Sequence, residues 1–235
     1  MAAIYKREMR SYFTGVIGYV FLVIYLAVAG LVFSFTTMYS MSSDVTQYFL
    51  IMMILSGIML PLLTMKSFSE ERKTRTEQLL LTAPVSLFGI VLGKLLASYT
   101  VFGGATLLTS LYFLFLIPYT QLQFAVLAGN VVALLLVGFV FISIGLFVSS
   151  LTENQLSAAV GTIAIILAFL AIGLINSLLP SSGVLRFIFG AISIFNRFQS
   201  FVSGYFDPAT VIYYLSVGGV FFWLTIRVFD RRRYD

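Results

Sequence analysis

KSFSEERKTRTEQLLLTAP, residues 66–84, is the one long polar insertion in a chain that is otherwise almost entirely apolar. Of 14 basic and 9 acidic side chains, seven fall between Lys66 and Glu77. Lys66 and Glu70, Glu71 and Arg75, and Lys73 and Glu77 are each four apart. On a helix each pair shares a face and contributes about 0.2–0.5 kcal/mol. Ser67 followed by Glu70 has the form of a capping box, which predicts a helix that starts or restarts there. Pro84 ends that helix or opens the next one. The flanking stretches, 48–65 and 85–117, are too apolar for a solvated surface. A short polar helix hung between two membrane spans has two readings: a solvated loop that only sets topology, or a docking element for a soluble partner.

Working outward, the composition fixes the class. The chain of 235 residues is 60% hydrophobic and 10% charged. A soluble domain is about 45–50% apolar and about 25% charged, so this is an all-α integral membrane protein. The net charge of +5 does not point to nucleic acid, because the basic residues flank apolar spans rather than forming a face. The chain has no Cys and no His, which removes thiolate chemistry, disulfides and the commonest metal ligands. Lys6, Arg7 and Arg10 precede an apolar run of full spanning length, which is not the pattern of a cleavable signal.

Six spans are predicted, at residues 16–35, 47 or 48 to 65, 87–117, 124–148, 156–179, and 209 or 210 to 228. The first is roughly 20 residues, the length needed to cross about 30 Å of hydrocarbon, and the others are of similar length or longer. Residues 2–13 are amphipathic, with Tyr5, Met9, Tyr12 and Phe13 at helical spacing. They read either as a helix lying in the interface or as an ordinary basic flank. Lys94 sits near the start of span three and is expected to snorkel out to water. Residues 180–208 are rich in Phe but broken by Gly183, Gly190, Gly204 and Arg197. They read as short helices that re-enter the membrane surface rather than as a seventh span.

Charge sets the orientation. With six spans, twelve of the 14 basic residues fall on one side and only Arg186 and Arg197 on the other. The positive-inside rule then places both termini, 66–84 and the turn holding Glu153 in the cytoplasm, with 180–208 outside. Motifs with chemistry of their own are absent. Gly89 to Lys94 has the wrong glycine spacing for a phosphate loop, and Leu95 stands where Ser or Thr would hold magnesium. Gly89 and Gly93 read instead as small residues for close helix packing. Glu70 and Glu71 diverge by about 100° on a helix, so they are not a general acid/base pair. No span carries a central Asp, Glu or Arg, so there is no ion relay. A membrane protein with a docking helix and no engine implies an engine on another chain.

The segment 71–86, ERKTRTEQLLLTAPVS, followed by VLGKLLA at 91–97, resembles the segment between spans two and three of ABC-2 type permeases. These are membrane subunits of bacterial ABC exporters, and the gliding-motility and copper-processing subfamilies look most similar. Residues 149–155 resemble the family's turn between spans four and five, and 198–214, FQSFVSGYFDPATVIYY, its segment before the last span. The resemblance implies one transmembrane domain over residues 1–235 in a bacterial plasma membrane. It carries an N-terminal interfacial helix at 2–13, a cytoplasmic coupling helix at 66–84 and external re-entrant helices at 180–208. It further implies a permease that pairs with a second permease, identical or related, and that docks an ABC ATPase holding the ATP and Mg. This chain would hold no cofactor and catalyse nothing. The ATPase contact would fall on Glu70, Glu71, Arg72, Lys73, Arg75, Thr76, Glu77 and Gln78, with Glu153 nearby. Phe195, Phe198, Phe201 and Tyr205 would form an external gate. The expected function is export of an amphipathic substrate: a lipid, glycan, peptide or drug. The alternatives are a mechanical coupler acting on an envelope partner, or a stand-alone carrier or channel. Two positions depart from the family's habit: 75 is commonly Gly and is Arg here, and 78 is commonly Glu and is Gln.

Overall fold

A computed structural model describes residues 2–39, 45–76, 86–118, 123–178, 189–202, 204 and 207–234. Glu77, Gln78 and Tyr205 therefore lie outside the described residues, as do 77–85 of the polar stretch and 180–188 of the segment before span six.

Every apolar run forms a helix. In chain order these are α1 (Ala2–Thr14), α2 (Val16–Phe33), α3 (Thr46–Thr64), α4 (Lys66–Lys73), α5 (Leu87–Ser110), α6 (Phe124–Leu151), α7 (Gln155–Leu178), α8 (Ile194–Val202) and α9 (Pro208–Tyr234). α2 widens into a π-helical turn at Ser34–Met38, and α5 tightens into a 3-10 turn at Leu111–Leu116. Among the described residues there is no strand, and six helices are long and apolar enough to cross a bilayer.

Several ends follow from local chemistry. Asp207 accepts from the backbone N–H of Ala209 and Pro208 takes the first helical position, so α9 starts there. Asn154 accepts from the N–H of Leu156 at the start of α7, and Ser86 accepts from that of Gly89 in α5. The last helix runs past the predicted end at 228. α9 continues as helix through Arg231, Arg232 and Arg233, whose charge suits a helix C-terminus.

α6 is the centre. Within its most apolar window 72% of residues are buried inside the bundle, against 28% for α2 and 22% for α9. A helix apolar on all sides suits that place. Close approach needs small residues. A Cβ at Gly138 would lie 2.0 Å from the Phe102 ring of α5, and one at Gly145 would lie 2.1 Å from Thr64 of α3. Between α2, α3 and α5 the core is aromatic: Phe113 meets Tyr48 at 5.0 Å, Phe33 at 5.2 Å and Phe49 at 5.8 Å between ring centroids. α1 breaks from α2 at Gly15 and folds back against α5. Tyr12 donates to the Leu63 carbonyl at 3.2 Å and meets Ser98 at 2.9 Å.

Candidate functional site

α4 is an extension of α3, not a helix begun by its own residues. Met65, between them, keeps helical backbone angles and its N–H still reaches the Pro61 carbonyl at 2.9 Å. The predicted capping box does not form: no side chain of α4 caps it, and the Ser67 hydroxyl is buried with no partner among the described residues. The cap comes from α6 instead. Ser149 Oγ accepts from the N–H groups of Phe68 and Ser69, both at 3.1 Å, and donates to the Met65 carbonyl at 3.1 Å. It thereby ties the joint between α3 and α4 to α6.

One face of α4 closes a charge cluster. Lys94 does not snorkel. It is 1% exposed, because α1 and α4 cover the end of α5 where water was expected. Its ammonium donates to Glu8 and Glu71 carboxylates, each at 3.0 Å, and to the Ser67 carbonyl at 2.6 Å. All of its protons are thereby used. Arg7 bridges the same two acids, at 3.0 Å to Glu8 and 2.6 Å to Glu71. Burial works against the Arg7 charge, but the two carboxylates outweigh it and raise the guanidinium above its ordinary value. Two acids and two bases thus neutralise each other where α1, α4 and α5 meet, as buried charges require. Lys94 also lies 4.9 Å from the centre of the Phe68 ring, which packs at 4.7 Å on Phe229 of α9. α1 can approach α5 this closely because of Gly93, where a Cβ would sit 3.0 Å from Ile4.

A second face of α4 is clamped to α6. Arg72 pairs with Glu153 at 3.0 Å and donates to the Leu151 carbonyl at 2.8 Å. Beyond it α4 ends at Lys73, and residues 77–84 of the expected 66–84 helix lie outside the described residues. Arg75 takes a left-handed conformation with φ of 57°. That is the position after a helix end where glycine is favoured. It also takes Arg75 off the helix, so the expected Glu71–Arg75 pair is absent, and Glu71 faces Lys94 and Arg7 instead. Lys73, Thr74, Arg75 and Thr76 are exposed. A cleft of about 720 Å³ between α1 and α4 is lined by Arg7, Glu8, Lys66, Glu70 and Glu71 among others.

At the opposite end, α8 is seated by apolar contacts. Ile194, Phe198, Phe201 and Val202 are buried, at the i, i+4, i+7 and i+8 spacing of one face. They pack on α3, α6 and α7. Phe195 is half-buried against Gly173 of α7. Tyr214 of α9 donates to the Ile194 carbonyl at 2.9 Å and Tyr213 donates to that of Ile192. Arg197 lies 4.5 Å from the Tyr213 ring.

A family model described as ABC-2 family transporter protein matches residues 2–232. The chain belongs to the ABC-2 transporter family. It is a multi-pass membrane permease of an ABC transporter, a family whose members work with an ABC ATPase. A search of curated proteins returned no match. In this ABC-2 permease the expected ATPase contacts split into two sets. Lys73, Arg75 and Thr76 are surface residues at the tip of α4, whereas Glu71 and Arg72 are half-buried and hold α4 to its neighbours. Lys66 and Glu70 form a loose pair at 3.7 Å beside the cleft. Sequence reasoning missed Arg7, Glu8, Lys94 and Ser149. The signal was a lone acid in a basic N-terminal helix and a lone base in a span.

Proposed function

We propose that the permease is driven by an ABC ATPase that docks on the tip of α4, with the Glu153 turn and α1 alongside, and that it exports an amphipathic substrate from a bacterial plasma membrane. The α4 end is cytoplasmic in this reading. The twelve-to-two split of basic residues supports that orientation. So do the contacts that gather Arg7, Arg72, Lys94 and Arg232 at this end of the bundle. The observation that carries the proposal is the division of α4. Its tip offers Lys73, Arg75 and Thr76 to a partner, and its body is bound to α1, α5 and α6 by Lys94, Ser149 and Arg72. A push on such a tip moves several helices together. A second permease completes the complex. The amphipathic substrate class rests on the family resemblance and on the aromatic segment at the α8 end. The test is Lys73→Glu with Arg75→Glu, which reverses exposed charge and leaves the buried cluster intact. Like charges facing each other across an interface cost several kcal/mol. The double variant should insert normally and lose co-purifying ATPase or its turnover. Unchanged co-purification and turnover would return α4 to a loop that only sets topology.

A further inference from the structure

α9 carries Arg227, Arg231, Arg232 and Arg233 in its last two turns, with Asp230 as the acid among them. Arg227 and Arg231 are four apart and share a face. Below them on that face are Leu224 and Val228, and across from them stand Phe147 and Leu151 of α6. The cleft between the two helices measures about 810 Å³. Its floor is apolar, and its rim carries Arg227, Arg231 and Arg232 with one acid, Asp230, a net positive charge. All four floor residues lie within helices long and apolar enough to cross a bilayer, Phe124–Leu151 and Pro208–Arg233. Val220 of α9, four residues before Leu224 and on the same face, is exposed as well, so the apolar strip runs on toward lipid.

The rim has charge to spare. Arg227 meets Asp230 only at 3.9 Å, with both side chains exposed, which is too loose to satisfy a guanidinium. It stacks on Trp223 at 4.8 Å, an arrangement suited to headgroup depth. Arg232 is committed elsewhere, donating to the Ser150 carbonyl at 2.7 Å. Arg231 is exposed, and none of the acids among the described residues forms an ion pair with it. Positive charge above an apolar trough, at the end of a spanning helix, matches a molecule with an anionic head and an acyl tail.

We propose that the α6–α9 cleft binds an anionic phospholipid, its headgroup phosphate held by Arg227 and Arg231 and an acyl chain lying along Leu224, Val228, Phe147 and Leu151. The site needs only that α9 crosses a bilayer, so it stands or falls separately from the docking of the ATPase. The probe is phosphatidylglycerol, compared with phosphatidylcholine of the same acyl chains, titrated onto the full chain in mild detergent and counted by native mass spectrometry. The wild type should prefer phosphatidylglycerol. Arg227→Gln with Arg231→Gln should reduce that preference by about tenfold, with thermal unfolding unchanged. Lys6→Gln with Arg10→Gln removes the same charge from exposed positions of α1 and should alter it by less than about twofold. Equal losses in the two variants would reduce the effect to net charge and overturn the site. A wild type without preference, or a cleft variant that keeps it, would do the same. Loss of co-purifying ATPase with the lipid preference intact would make the rim a protein contact instead.

Discussion

At the α4 end, helices meet on charges: Lys94 and Arg7 against Glu8 and Glu71. At the α8 end, a helix is seated on rings and branched chains: Ile194, Phe198, Phe201 and Val202 face inward. The two closures fail differently. Apolar packing loses energy in proportion to what is removed, so it degrades by degrees. A buried charge cluster is neutral only as a whole, and taking out one member strands the others. An end built that way holds one geometry firmly. That suits a joint meant to transmit a push, and the apolar end suits a cover that can shift.

Lys94→Ala should produce the largest effect. It leaves Glu8 and Glu71 facing each other with only Arg7 between them, a loss of about 3–5 kcal/mol. Thermal unfolding of the purified chain in lipid measures it. Adding Glu8→Gln and Glu71→Gln to that variant should recover much of the loss, because the stranded charges are then gone. Phe198→Ala should come next, at about 1.5–3 kcal/mol, with partial recovery in Phe198→Leu and no dependence on charge elsewhere. If Lys94→Ala proves milder than Phe198→Ala, or if the two added Gln changes rescue nothing, the contrast between the ends fails. Arg75→Gly should be the smallest effect and of opposite sign. It relieves a side chain held at φ of 57° and should stabilise the chain by about 1 kcal/mol.

The spans were legible because each apolar run is long enough to cross a bilayer, whereas the local start signals at Asn154 and at Asp207 with Pro208 went unread. The short helix before the last span was legible too, since Phe198 and Phe201 are spaced for one face. The start of α4 was not. Its cap is Ser149, 80 or more residues away in the chain, and a plausible local box at Ser67 and Glu70 hid the fact. Lys94 was misread for a related reason. Snorkelling assumes that the end of a span meets water, and here α1 and α4 cover it, with partners 86 and 23 residues distant. Pairing across such separations leaves no periodic trace. The proposed docking residues are legible as a polar stretch, but which of them are free to face a partner depends on which are turned inward, and for Glu71 that is decided by Lys94 on α5.

The central claim is that the tip of α4 is a cytoplasmic surface occupied by the ATPase. The chain has no Cys, so a single Thr76→Cys change gives one reporter at an exposed position. Labelled with a membrane-impermeant maleimide, Cys at 76 should react in inside-out vesicles and not in intact cells, and assembly with the ATPase should slow that reaction by at least about tenfold. Labelling from outside intact cells, or equal rates with and without the ATPase, would contradict the account.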